Sequence, residues 1–315
     1  MKLCLTPALT RRSMVLSGIA AGVILQQPRA FAAVDGQKLE RVASWSYQLQ
    51  GDVSGLTRVN SDIAVVDWDH IKSRWTVDAL RQTPSGARRS ILAYLSIGEA
   101  ESWRPYWRDC CATVSKPAWL TSVTQGWADN FAVRYWDPAW QQIVRGQLDD
   151  IIAAGFDGIY LDRADSYEAF AGEHTTARAD MIAFILALSK AAKTRAPGFA
   201  VVMQNAEELL SDRELLAALD GVAKEDLLHG NGHRPDRNAP DAIRQSILHL
   251  RRARAAGKPV VVVEYLPPGE LAEGVKAEIA ALGFVPLVTE RSLSISDGDQ
   301  AGSDAHVDRT AEIAD

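Results

Sequence analysis

The chain has 315 residues, 47% of them hydrophobic, with 34 Lys and Arg against 40 Asp and Glu and a formal net charge of −6. That length suits one domain of roughly 250 residues with a short extra segment. The acidic balance argues against nucleic acid and anionic membranes as partners.

Residues 1–32 read as a segment removed on export. Lys2, Arg11, Arg12 and Arg29 are the only charges before Asp35. An apolar run from Met14 to Leu25 follows the arginine pair, and Ala30-Phe31-Ala32 offers small residues at the cleavage positions. That order is a signal peptide, and its apolar run is too short for a mature transmembrane helix. Thr10-Arg11-Arg12-Ser13-Met14-Val15-Leu16 has the twin-arginine pattern, with Met in place of the usual Phe. An ordinary secretory signal carrying two arginines is the alternative. Removal after Ala32 takes four cations and no anion, leaving 30 Lys and Arg against 40 Asp and Glu, net −10. The expected product is a periplasmic or extracellular monomer without a membrane span.

From residue 41 to residue 291, apolar runs alternate with helical stretches. Strands are predicted at 44–49, 63–67, 91–96, 158–162, 200–204, 221–225, 260–264 and 284–288, rich in Val, Ile, Ala and Tyr as parallel strands buried on both faces must be. Helices are predicted at 139–154, 178–192, 207–219, 242–256 and 271–282. The first has Ile143, Val144, Leu148, Ile151 and Ile152 on one stripe, with Asp137 as N-cap and Pro138 in the first turn. Eight strands with helices between them predict a (β/α)₈ barrel over 33–291. The segment 99–136 is an insertion, and 131–136 within it is a candidate ninth strand. A doubly wound sheet using that strand is the alternative, but no Gly-rich phosphate loop follows the first strand. Residues 292–315, with six acidic residues and one Arg, predict a disordered acidic tail. Cys4 leaves with the signal. Cys110 and Cys111 match neither a metal site nor a disulfide framework; they read as two inert side chains, with a vicinal disulfide as the alternative.

Polar residues close most of the strands. In order they are Gln48, Asp67 and Asp69, Glu99 and Glu101, Asp162 and Asp165, Gln204 and Asn205, Glu225 and Asp226, Glu264 and Tyr265, and Glu290. In a (β/α)₈ barrel these ends converge on the face that holds the active site. Asp165 has a second explanation, as a helix cap ahead of Glu168. Carboxylates at five or more ends repel one another and mark a site. Asp162 and Glu225 are the candidate catalytic pair. Alternation places Gly158, Tyr160 and Asp162 on one face, and Gly221, Ala223 and Glu225 on another, with small residues leaving room below Glu225. Two such carboxyls are what glycoside hydrolysis requires. Tyr47, Gln48, Asp67, Trp68, Glu99, Trp136, Tyr160, Asp165, Gln204, Asn205 and Tyr265 are the candidate substrate contacts. All nine Trp lie between Trp45 and Trp140; more than half should be core, and Trp68 and Trp136 are the predicted sugar platforms. His229 and His233 are four apart, but Gly230-Asn231-Gly232 breaks a helix between them, so no metal and no cofactor is expected. There is no Gly-x-Ser-x-Gly elbow.

Five ordered motifs carry a resemblance. They are Trp-Ser-Tyr-Gln-Leu-Gln at 45–50, Ala-Tyr-Leu-Ser-Ile-Gly-Glu-Ala-Glu at 93–101, Val-Arg-Tyr-Trp-Asp-Pro-Ala-Trp at 133–140, Gly-Phe-Asp-Gly-Ile-Tyr-Leu-Asp-Arg-Ala-Asp at 155–165 and Gln-Asn-Ala-Glu-Glu-Leu-Leu at 204–210. Together they resemble glycoside hydrolase family 114, which includes endo-α-1,4-polygalactosaminidases, over about residues 45–290. The resemblance implies a (β/α)₈ barrel, a catalytic Asp at Asp162 and a catalytic Glu at Glu225. It departs at Ser294, where an Asp is expected, which weakens Glu290 as a site residue. The chitinase pattern is disfavoured, because Tyr160 and Ala164 stand where an Asp and the acid Glu belong. The expected activity is endo-cleavage of an amino-sugar polymer such as α-1,4-galactosaminan, with Asp162 as nucleophile or base and Glu225 as acid. A non-catalytic carbohydrate-binding barrel and a metal-dependent deacetylase are the alternatives.

Overall fold

The computed structural model describes residue 39 and residues 41–71, 77–111, 116–124, 127–230 and 236–294, all within the compact unit Phe31–Asp315. The predicted signal segment, the tail beyond residue 294 and His233 lie outside the described residues. Among the described residues the strands are β1 (Trp45–Gln48), β2 (Ile63–Asp67), β3 (Ser90–Ser96), β4 (Glu99–Glu101), β5 (Leu120–Thr124), β6 (Trp127–Val133), β7 (Gly158–Asp162), β8 (Ala200–Gln204), β9 (Gly221–Glu225), β10 (Val260–Tyr265) and β11 (Val285–Thr289).

Eight of these form one all-parallel sheet in the order β1-β2-β3-β7-β8-β9-β10-β11. The first and last lie side by side, and the amides of Leu49 and Gln50 donate to the Leu293 carbonyl at 2.9 and 3.1 Å. The sheet therefore curls into a nearly closed (β/α)₈ barrel. All eight predicted strands are present, within a residue or two at each end.

Period-two alternation produces two separate cores. Inward side chains from Trp45, Tyr47, Ile63, Val65, Leu92, Tyr94, Tyr160, Val202, Ala223, Val261 and Val263 fill the barrel. The alternate residues, among them Val66, Ala93, Leu95, Ile159, Leu161, Val201, Met203, Val222 and Val262, pack outward under the helices. This alternation decides which strand-end side chains can reach the mouth.

The helices Pro138–Ala153, Ala177–Arg195, Pro240–Ala255 and Glu270–Ala281 cover the outside. Asp137 caps the first as predicted, accepting from the Ala139 amide at 2.8 Å. The helix predicted over 207–219 is two pieces, a 3₁₀ turn Glu207–Ser211 and a helix Arg213–Ala218. Asp212 divides them: its extended backbone starts a new helix and its carboxylate accepts from Leu215 N at 2.9 Å.

The insertion after β3 has a sheet of its own, β4-β6-β5, antiparallel throughout. The segment 131–136 is thus no barrel strand. Residues 131–133 end β6, and Trp136 lies in the turn before the next helix. Gly98 starts this insertion at close quarters: a Cβ there would collide with the Arg163 carbonyl oxygen and with Ser166 Oγ. Cys110 and Cys111 form a vicinal disulfide, not two inert thiols.

Candidate active site

A cavity of about 240 Å³ opens at the C-terminal mouth of the barrel. Six carboxylates border it, from Asp67, Glu99, Glu101, Asp162, Glu225 and Asp226, together with Arg163, Arg291, Asn130, Asn205, Tyr47, Tyr94, Tyr265, Trp103 and Trp127.

Asp162 is the last residue of β7 and Glu225 the last of β9. Both continue the inward face of their strands, which aims them into the mouth. Each has a tyrosine hydroxyl on one oxygen. Tyr94 donates to Asp162 Oδ2 at 2.6 Å, and Tyr265 donates to Glu225 Oε1. The Arg163 amide reaches Asp162 Oδ1 at 2.8 Å. Asn205 brackets Glu225, donating from Nδ2 to Oε2 at 3.2 Å and accepting the Glu225 amide on Oδ1 at 3.1 Å.

Burial, then the neighbouring Glu225 charge, pushes the Asp162 carboxyl up to about 7. Burial also lifts Glu225, against the hydrogen bond from Tyr265. A carboxyl raised to about 7 beside a second, charged acid can keep its proton near neutrality. That arrangement can supply a proton donor and an anionic group at once.

Beneath the pair the barrel is full. Trp45, Tyr47 and Tyr160 form an aromatic cluster with ring centroids 5.2 to 6.4 Å apart. The room expected below Glu225 from Gly221 and Ala223 is therefore absent; aromatic rings from across the barrel fill the centre. Tyr160 is fully buried, and its hydroxyl has no hydrogen-bond partner among the described residues.

On the other side of the mouth Arg104 is buried between two acids, with Asp67 Oδ1 at 2.7 Å and Glu101 Oε2 at 2.6 Å. Burial opposes its charge, but Glu101 and Asp67 outweigh burial and hold it well above its ordinary value. Glu99 accepts from Thr124 Oγ1 at 2.8 Å and Asn130 Nδ2 at 3.1 Å, and pairs with Arg163 at 2.9 Å. It thereby ties the insertion sheet to the residue that follows Asp162.

Of the predicted contacts, Tyr47, Asp67, Glu99, Asn205 and Tyr265 border the cavity. The others lie elsewhere. Gln48 points outward from β1, and its amide holds the loop through the Gln50 and Asp52 carbonyls at 3.2 and 2.9 Å. Gln204 is buried against the Tyr47 hydroxyl at 3.4 Å. Trp68 is 2% exposed in the outer core, and Trp136 stacks on His174 at 4.0 Å. The exposed aromatics at the cavity are instead Trp103 and Trp127, at 47% and 51%. Among the described residues Asp165 caps no helix, for it sits inside a 3₁₀ turn with Arg163 Nη1 4.0 Å away. Glu290 is exposed and does not border the cavity. His229 Nδ1 is 4.0 Å from Glu264 Oε2.

Arg291, Arg163, Tyr94, Trp103, Trp127 and Asn130 also border the cavity and are not among the predicted contacts. Tyr94 alone carried a usable signal, since alternation places it inward above Leu92.

The family model for glycoside-hydrolase family GH114 matches residues 26–310. An uncharacterized protein of Deinococcus radiodurans is 37% identical over 262 residues, covering 81% of this chain and 82% of its own. An uncharacterized protein of Thermotoga maritima is 31% identical, covering 72% of each chain. Among solved structures, the glycoside hydrolase domain of PelA from Pseudomonas aeruginosa superposes with a TM-score of 0.64 at 22% identity, covering 81% of this chain and 97% of that domain. Aspergillus fumigatus Ega3, in complex with galactosamine, gives a TM-score of 0.61 at 20% identity, covering 85% of this chain and 96% of that one. At those identities the likeness carries the barrel fold.

Proposed function

The chain belongs to glycoside-hydrolase family GH114 and is a glycoside hydrolase, and we propose that it is an exported endo-enzyme cleaving an α-1,4-galactosaminan-like amino-sugar polymer with Asp162 and Glu225. The observation that carries this reading is the pair itself: two carboxyls at the ends of β7 and β9, facing one cavity, both raised by burial. One carboxyl protonates the glycosidic oxygen as the bond to the anomeric carbon breaks. The other, ionised, attacks that carbon or takes a proton from the attacking water.

The amino-sugar assignment has two supports. Ega3, which shares this barrel fold, was solved in complex with galactosamine. Six carboxylates at the cavity face three arginines, Arg163 and Arg291 on its lining and Arg104 behind Asp67 and Glu101, and the net negative charge that remains favours a substrate bearing ammonium groups. Trp103 and Trp127 offer ring faces to sugars on the approach to the pair. Export rests on the pattern of residues 1–32, and the Cys110–Cys111 disulfide fits an oxidising compartment. No helix among the described residues is long and apolar enough to cross a membrane.

Incubation with de-N-acetylated galactosaminan, its N-acetylated form and neutral glucans, followed by reducing-end detection, tests the reading. New ends are expected from the galactosaminan. Cleavage of neutral glucans alone rejects the amino-sugar assignment, and a bound polymer left intact points to a carbohydrate-binding barrel.

A further inference from the structure

Arg291 stands two residues past β11, on the turn that closes the barrel. That turn is fixed at both ends. Leu293 N donates to the Glu290 carbonyl at 3.1 Å, and the Leu293 carbonyl accepts from Leu49 and Gln50 after β1. From the seam Arg291 reaches back over β10 to the exit of β9. Its Nη2 donates to both carboxylate oxygens of Asp226, at 3.0 and 2.9 Å. Its guanidinium carbon lies 4.1 Å from the centre of the Tyr265 ring, close packing for a cation on an aromatic face. The Tyr265 hydroxyl in turn holds Glu225 Oε1.

Asp226 is a fixed anchor for this contact. It follows Glu225 in the left-handed region, with φ 51, which disfavours most side chains. Its amide donates to the Val263 carbonyl at 3.0 Å, and its own carbonyl accepts from Asn238 Nδ2 at 2.7 Å. Gly230 lies against its carboxylate, where a Cβ would come within 2.5 Å of Oδ1.

We propose that Arg291 is a positioning residue for Glu225: pinned by Asp226, it fixes the Tyr265 ring and so holds the Tyr265 hydroxyl on the Glu225 carboxyl. The proposal rests on Glu225 being one of the two catalytic carboxyls. It extends that assignment to a side chain on the last strand's exit, which touches neither the reacting bond nor Glu225 directly. The groups facing Glu225 are Asp162 and Tyr160 from β7, Tyr47 from β1, Asn205 after β8, Asp226 beside it, Tyr265 from β10 and Arg291. Among them Arg291 is the cation, and its charge draws the Glu225 carboxyl downward against burial.

The test compares Arg291→Met, Arg291→Lys, Tyr265→Phe and the Arg291→Met/Tyr265→Phe double variant on the polymer, in the intact chain, with Glu225→Gln in parallel. Arg291→Met should lower kcat by about 10- to 100-fold while KM moves less than about threefold, as expected for a misplaced reacting group. The limb of the pH–rate profile that reports Glu225 should move to higher pH, because a cation has been lost. Arg291→Lys should return that limb towards its original position but leave kcat low, since an ammonium cannot stack as a planar guanidinium does. In the Tyr265→Phe background Arg291→Met should add less than about a twofold loss, because the two act through one contact.

An unchanged kcat, a loss confined to KM, losses that multiply, or an unmoved limb each overturn the proposal. If Arg291→Met unfolds in a thermal scan, Arg291→Lys alone decides through its low kcat and retained limb. Inactive Glu225→Gln beside fully active Arg291→Met rejects the positioning role only. Fully active Glu225→Gln rejects both that role and the catalytic assignment beneath it.

Discussion

The strand ends of the barrel and the three-stranded insertion sheet both border the cavity, yet they hold their side chains by different means. Asp162 and Glu225 stand on parallel strands paired on both sides and packed on both faces. The residues that follow β7, β8 and β9, namely Arg163, Asn205 and Asp226, all turn out through the left-handed region at φ 62, 57 and 51. Each such turn costs roughly 1 kcal/mol or more and persists because the surrounding structure determines it. In the insertion, β5 and β6 are mostly exposed or half-exposed, and Trp127 presents half its surface to solvent. On the proposed reading, the chemistry that needs sub-ångström placement sits on the part that is paired and packed throughout. On the same reading, the ring faces that would grip a polymer sit on the more exposed part. Glu99 joins the two regions through Thr124, Asn130 and Arg163.

Separating kcat from KM would break or sharpen that division. The largest effects should come from the strand ends. Asp162→Asn and Glu225→Gln should each lower kcat by at least about 10²-fold with little change in KM, since acid–base catalysis alone supplies about that much. The double variant should be hardly worse, because the two act as a unit. Full turnover in either single variant removes that residue from the chemistry. Azide rescue of one variant in a retaining mechanism would identify the nucleophile.

Asp162→Asn also has a signed effect on stability. Burial and Glu225 lift the folded-state carboxyl to about 7, against about 3.9 in an unfolded chain. The folded protein thus holds this proton more tightly. The resulting stabilisation is full below about pH 4 and is lost as pH rises towards 7. Asn at this position does not titrate, so the variant should gain on the parent protein across that window, by on the order of a few kcal/mol at neutral pH. Thermal unfolding at about pH 4 and about pH 8 measures it. A difference in Tm that is the same at both pH values would contradict the raised carboxyl.

Smaller changes are expected from the insertion. Trp103→Ala and Trp127→Ala should raise KM by about 2- to 12-fold, the equivalent of roughly 0.5–1.5 kcal/mol of ring contact each, and leave kcat nearly unchanged. A loss in kcat instead would mean that the insertion helps to place the reacting bond, erasing the contrast between the two regions. The smallest effect should come from Asp165→Asn. Among the described residues its carboxylate caps no helix and pairs with Arg163 only at 4.0 Å, so unfolding should shift by less than about 1 kcal/mol and kcat should stay within about twofold.

The barrel was legible because each strand reads as a short apolar run between helical stretches, and the parallel arrangement follows from that alternation. Asp162 and Glu225 were legible for the same reason, as last inward residues of their strands. Trp68 misled because it lies one residue past β2, where the chain turns and ring direction is set by the helix it enters. Gln48 and Gln204 were strand-end polar residues too. Alternation turns Gln48 outward, and Gln204 is occupied below the mouth by Tyr47.

Local pattern therefore determined the order of elements, the layering of the two cores and the two carboxylates, since each depends on period-two alternation within a single segment. Contacts between distant segments decided the rest. Arg291 meets Asp226 across 65 residues, Glu99 meets Asn130 across 31, and Tyr94 meets Asp162 across 68. No local spacing encodes those meetings; they arise only when strands distant in the chain become neighbours, β3 beside β7, β4 beside β6, and β11 beside β10, which adjoins β9.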